Sequence, residues 1–144
     1  MQVLVLNGVN LDVLGRRDPD LYGGLSLNEL ETRIYEWATE LGCHVRCRQT
    51  NHEGEYVEFL HAALDTADGL VLNPGAWTHY SWAIRDALEP FSGPVVEVHI
   101  SDIEAREDWR RHTVLDGLPT RRVIGEGIDG YRQALGLLAE RRDG

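Results

Sequence analysis

Val3-Leu4-Val5-Leu6, an apolar run closed by Asn7-Gly8, reads as a strand buried on both faces of a sheet. The same signature recurs at 69–72, 94–100 and 122–124, and residues 44–48 alternate as a less buried strand. Helix patterns fill the gaps. Ser26-Leu27-Asn28-Glu29 is a capping box, followed by Leu30, Ile34, Trp37, Ala38 and Leu41 at helical spacing and stopped by Gly42. Further helices are expected over 54–66, from Thr78 as N-cap through 88, over a short stretch at 104–110, and over 129–141. The order βαβαβαβαβ implies an α/β fold: a doubly wound five-stranded parallel sheet with helices on both faces.

For 144 residues without repeat, linker or low-complexity segment, the expectation is one domain, 1–144, of flavodoxin-like topology. Such a chain buries about two-thirds of its unfolded surface and needs no disulfide or metal staple. Cys43 and Cys47, four apart in an expected strand, stand roughly 13 Å from each other and cannot bridge. Free core thiols fit a reducing, cytoplasmic location. No apolar run approaches twenty residues and no charged leader precedes the first strand, so neither membrane nor export is expected.

All fourteen basic residues are arginine. The missing lysine excludes Schiff-base catalysis and a lysine-bearing phosphate loop. A formal charge of −10 and a pI near 4.9 argue against nucleic acid, which needs a basic face to displace counterions. A small anionic substrate must therefore meet local guanidinium forks, and the bases available are histidine, carboxylate or ionised tyrosine. The six histidines lack metal-ligand spacing, and no metal or organic cofactor is expected.

Residues 7–24 connect the first strand to the first long helix, where two to six residues would suffice. With glycines at 8, 15, 23 and 24, the segment reads as a lid, centred on about 15–25. Ligands of doubly wound sheets bind beyond the carboxyl ends of the strands. Those ends carry Asn7 and Asn10, then Asn73, Thr78 and His79, then Glu97, His99 and Ser101, with Arg106 and Arg110 following. Glu97 and His99 share a strand face, so the carboxylate can orient the imidazole. The set suits a small polyhydroxylated carboxylate.

Asn7-Gly8-Val9-Asn10-Leu11, Leu14-Gly15-Arg16-Arg17, Leu21-Tyr22-Gly23, Asn51-His52-Glu53-Gly54-Glu55, Asn73-Pro74-Gly75-Ala76, Thr78-His79, Glu97-Val98-His99-Ile100-Ser101 and Ala105-Arg106-Glu107 together resemble the successive signatures of type II 3-dehydroquinate dehydratase. The terminal stretch Gly125-Glu126-Gly127-Ile128-Asp129-Gly130-Tyr131 fits as well. The resemblance implies a hydro-lyase of the shikimate pathway, or of quinate breakdown, which shares the step. It would convert 3-dehydroquinate to 3-dehydroshikimate and water by anti elimination through an enolate, without cofactor. It further implies Tyr22 as base, assisted by Arg17, because an adjacent cation favours a phenolate. Asn10 would help hold the enolate oxygen, and His99, oriented by Glu97, would protonate the departing hydroxyl. Asn73, His79, Ile100, Ser101, Arg106 and Arg110 would bind substrate, Arg110 as a carboxylate fork. A homododecamer, a tetramer of trimers, is implied too, with Asp86 reaching a neighbouring subunit's site.

Val9 stands where such sequences usually have proline, and Trp77, Tyr80 and Trp82 are bulky for their places, which bears on pocket volume. Gly125 to Gly130 also spells a dinucleotide fingerprint, but too little chain follows for the strand carrying a ribose-binding acid. A flavin or nucleotide binder is thereby disfavoured. A non-catalytic binding module would be expected to lack Tyr22, Arg17 or His99, and all three are present.

Overall fold

The computed structural model describes residues 1–143, with side chains through residue 140. Strands β1 (Gln2–Asn7), β2 (His44–Gln49), β3 (Gly69–Asn73), β4 (Val95–His99) and β5 (Thr120–Ile124) pair in parallel in the order β2-β1-β3-β4-β5. This is the expected doubly wound arrangement. The strand order reverses between β1 and β3, which opens a crevice at the paired residues Asn7 and Asn73.

Side-chain alternation sorts the core into two layers. Val3, Val5, Val71, Val96 and Val98 pack with helices α2 (Leu27–Leu41) and α5 (Asp129–Asp143). Leu6, Leu70, Leu72 and Val95 pack on the other face with α3 (Glu53–Thr66) and α4 (Trp82–Leu88). The capping box forms as expected: Ser26 Oγ accepts from the Glu29 N–H at 3.1 Å, and Gly42 closes α2 in a left-handed conformation at φ 71°. Leu30 and Ile34 are fully buried on the inner face of α2, so Ile34→Ala would cost about 2–5 kcal/mol. Cys43 and Cys47 are free and buried, and burial pushes the Cys47 thiol up to about 12.

Two expected helices are re-cut by the site. The helix expected from Thr78 starts later: a 3₁₀ turn (Gly75–His79) intervenes, and Ser81 Oγ caps α4 by accepting from the Ile84 N–H at 3.1 Å. Thr78 is not the cap because its hydroxyl donates to Glu97 instead. The stretch 104–110 is two 3₁₀ turns, Ile103–Ala105 and Asp108–Arg111, interrupted where Arg106 adopts extended dihedrals (φ −108°, ψ −154°). His52 stands at the N-cap of α3 with no side-chain capping bond.

The long connection is not structureless. It folds into a 3₁₀ segment (Leu11–Arg16) and the single-turn α1 (Pro19–Tyr22), where Asp18 accepts from the Asp20 N–H and Gly23 ends the turn at φ 81°. Leu11, Leu14 and Tyr22 are buried against the α2 layer. Packed apolar anchors make this segment a flap held by its own core.

Candidate active site

The crevice above β1, β3 and β4 is an open cleft lined by Asn10, Arg17, Tyr22, Asn73, His79, His99, Ile100, Ser101, Arg106 and Arg110. Of the residues the sequence singles out, Glu97 lies beneath it and Asp86 outside it. Its floor depends on two glycines. A Cβ on Gly8 would stand 2.4 Å from the Pro74 carbonyl oxygen, and one on Gly75 (φ 66°) would stand 2.7 Å from that of Val9. Only backbone-to-backbone approach of this kind lets the loops after β1 and β3 interlock.

Val9 sits half-buried in that interlock, in the place where proline was expected. The next residue, Asn10, is exposed and left-handed (φ 71°), the one non-glycine of positive φ among the described residues. Asparagine tolerates this region best of ordinary side chains. Asn51 holds the conformation: its Oδ1 accepts from the Asn10 N–H at 2.9 Å, while its Nδ2 donates to Asp12 at 2.9 Å.

Tyr22 projects from α1 under two cations. Arg17 Nη2 and Arg106 Nη1 each donate to its hydroxyl oxygen at 2.6 Å, and the Arg17 guanidinium lies 3.8 Å over its ring. Both bonds are stronger to a phenolate than to a phenol. Burial pushes the Arg17 guanidinium down, Tyr22 opposes that, and nearby Arg106 and Arg110 add to it. Arg106, expected to bind substrate, lines the cleft and also donates to Tyr22 and, at 3.1 Å, to Ser101 Oγ. The sequence offered no means to separate these roles, because Arg106 follows Tyr22 by 84 residues. Arg16 is exposed and outside the cleft.

The histidine side is built on the sheet. His99 Nε2 donates to Glu97 Oε2 at 2.5 Å, and Thr78 Oγ1 donates to the same oxygen at 2.6 Å. Arg122 Nε lies 3.3 Å from Glu97 Oε1. Burial alone would raise this carboxyl. The bonds from His99 and Thr78 and the Arg122 charge outweigh it and hold Glu97 below the ordinary carboxylate range. An anionic Glu97 fixes the proton on Nε2 and leaves Nδ1 for exchange with a ligand.

His79 stacks beside His99 at 6.2 Å and meets Trp109 edge-on at 5.2 Å. Its Nδ1 donates to the His112 carbonyl at 2.6 Å, so Nε2 is the acceptor of the neutral ring. Burial pushes the His79 ring down despite that bond, and His99 and Arg110 add to the effect. Arg110 stacks on Trp109 at 4.2 Å and donates through Nε to Glu107. Asn73 donates from Nδ2 to the Tyr131 hydroxyl at 2.8 Å, and that hydroxyl donates to Asn7 Oδ1 at 2.7 Å.

Tyr131 and Trp109 are supports that sequence reasoning missed. Tyr131 ends the terminal glycine-rich motif, and that position was its signal. The motif is a brace: the Gly125 and Gly127 N–H groups donate to the His99 and Ile100 carbonyls, each at 3.1 Å. Trp77 packs edge-on against Tyr56 in the core at 5.6 Å and does not line the cleft; Tyr80 and Trp82 are exposed. Asp86 is exposed on α4 and does not join its own chain's cleft. Among the described residues no cluster of three or more histidine, cysteine or acidic side chains could hold a metal.

A doubly wound α/β protein with a carboxylate-bonded histidine and a doubly bridged tyrosine opening on one cleft is equipped for proton transfer on a small anion. The family model for class II dehydroquinase matches residues 1–139, and the chain belongs to that family. It is 52% identical over 139 residues to a 3-dehydroquinate dehydratase of Syntrophotalea carbinolica, covering 96% of this chain and 93% of that one. A 3-dehydroquinate dehydratase of Pelobacter propionicus is 48% identical, covering 93% and 91%. The crystal structure of type II dehydroquinase from Propionibacterium acnes superposes with a TM-score of 0.93 at 45% identity, covering 96% of each chain.

Proposed function

We propose that the protein dehydrates 3-dehydroquinate to 3-dehydroshikimate and water by anti elimination through an enolate, with Tyr22 as the base and His99 as the acid. The observation that carries this reading is the pair of 2.6 Å bonds from Arg17 and Arg106 onto one phenol oxygen. A phenolate so held takes the α-proton of the ketone, and the electron pair moves onto the carbonyl oxygen. Asn10 helps to hold that oxygen. The enolate then expels the β-hydroxyl, which receives its proton from His99 while Glu97 supports the imidazole. No imine forms, since the chain has no lysine.

Asn73, His79, Ile100 and Ser101 recognise the hydroxyls, and Arg110 binds the carboxylate. His79 accepts through Nε2. On this reading the chain, 1–144, is one catalytic domain with segment 15–25 as its lid. Its working form is a homododecamer, a tetramer of trimers, in which Asp86 reaches a neighbour's site. Exposed Tyr80, just ahead of α4, and Trp82 at its start, at 57% and 59%, present apolar surface suited to such an interface. The two free thiols suit a cytoplasmic setting, and no helix among the described residues is long and apolar enough to cross a membrane. The test is a continuous ultraviolet assay for the conjugated enone, with and without borohydride and alongside Tyr22→Phe. Turnover that survives borohydride and collapses in the variant supports the reading. Absence of turnover by folded protein overturns it.

A further inference from the structure

The acid at His99 stands two contacts away from a charge that the reaction scheme leaves unassigned. Register pairs Glu97 with Arg122 across β4 and β5, which sets both side chains at one height on one sheet face. Glu97 Oε2 already accepts from His99 and Thr78, and Arg122 approaches the other oxygen, with Nε 3.3 Å from Oε1. The carboxylate is fully buried, so its charge answers to a few neighbours and not to bulk water. Those neighbours are His99 on its own strand, Thr78 and His79 from the turn after β3, Tyr56 from α3, and Arg122 from β5, while Arg110 from the Asp108–Arg111 turn faces His79. Arg122 is the arginine in direct contact with Glu97. Its buried Nε and Nη2 make no hydrogen bond among the described residues, which leaves that ion pair to fix the guanidinium.

We propose that Arg122 is a positioning residue whose charge, acting through Glu97 Oε1, sets how tightly the Glu97–His99 pair holds its proton. This rests on His99 being the acid. A buried carboxylate with no cation on its far side pulls the imidazole proton toward itself and makes His99 a reluctant donor. Arg122 offsets that pull and also keeps the carboxylate aimed. Removing a positive charge strengthens proton binding by the pair whichever partner carries the shared proton, so the direction of the effect does not depend on the assignment.

The experiment compares kcat and KM for 3-dehydroquinate across pH in the wild type, Arg122→Gln, Arg122→Met and Arg122→Lys. In the two neutral variants kcat at neutral pH falls about five- to twentyfold with KM within about twofold, and the alkaline limb of the kcat profile moves up by about half a pH unit or more. Arg122→Lys keeps the charge and restores both. Loss of activity with an unmoved limb overturns the proposal, as does a Lys variant that behaves like Gln. Failure of both neutral variants to fold also overturns it, by making Arg122 a folding residue. His99→Gln, measured in parallel, separates the underlying reading: if its alkaline limb matches the wild type, His99 is not the acid and the failure lies there.

Discussion

The two halves of the cleft are built by opposite means. The tyrosine half hangs on a single helical turn in a connection between elements, and its chemistry comes from two arginines that approach from different parts of the chain. The histidine half stands on a central strand, with Glu97 fully buried and bonded to residues of the flanking turn and strand. On the proposed assignment the base sits on a short turn within a connection, and the acid is fixed to the sheet. The contrast teaches that charge can replace rigidity. Arg17 and Arg106 hold the tyrosine oxygen by bonding it from two sides, where a buried carboxylate on the same strand holds His99.

The largest effect should come from the tyrosine half. Tyr22→Phe removes the proposed base and keeps the ring that packs under Arg17, so kcat should fall about 10³–10⁴-fold with little change in KM, as measured by enone formation. His99→Gln should lower kcat about 10²–10³-fold, because an enolate can still expel the hydroxyl with a proton from water. If the two losses were equal and the double variant no worse than either, the halves would not act as separate groups.

Arg106→Gln sharpens the comparison further. If Arg106 serves Tyr22, kcat should drop about 10- to 100-fold, and KM should rise far less than in Arg110→Gln, where the carboxylate fork is lost. Tyr131→Phe strands Asn73 Nδ2 and Asn7 Oδ1 in a buried place, so it should cost about 1–3 kcal/mol in denaturant unfolding and raise KM several-fold.

The smallest effect is in the pH dependence of stability, and it tests the rigid half. His79 is held below its ordinary value, so the unfolded chain binds its proton first. Stability that is full above the unfolded histidine value of about 6.5 is lost as pH falls below it toward the folded value. Glu97 is also depressed, so its contribution is present above the unfolded carboxyl value of about 4.3 and lost as pH falls through the folded one. Urea unfolding from pH 8 to 3 should therefore weaken in two stages, and His79→Asn should remove the upper stage alone.

The element order, the parallel sheet with helices on both faces, the capping box and the Glu97–His99 pairing on one face of β4 were legible in the sequence, because each depends on local periodicity or on neighbours two to four residues apart. The pairing of Tyr22 with Arg17, five residues apart, came from the resemblance and not from periodicity, and the structure places the two in contact. What escaped depends on contacts between distant segments. Thr78 reads as a helix cap until a buried carboxylate 19 residues away takes its hydroxyl. Residues 104–110 read as a helix until Arg106 must leave helical geometry to reach Tyr22. Trp77 reads as pocket-lining, yet a fully buried Tyr56 claims it for the core. In each case tertiary contact overrides a correct local preference.

The most direct test of two separate halves is deuterium exchange. 3-Dehydroquinate is incubated in D₂O with His99→Gln and, separately, with Tyr22→Phe, and the recovered substrate is examined by NMR. If Tyr22 alone removes the α-proton and His99 acts only on the departing hydroxyl, the His99 variant returns substrate deuterated at the α-carbon and the Tyr22 variant returns it unlabelled. Deuterium in substrate recovered from Tyr22→Phe, with none from His99→Gln, would contradict the assignment of base and acid.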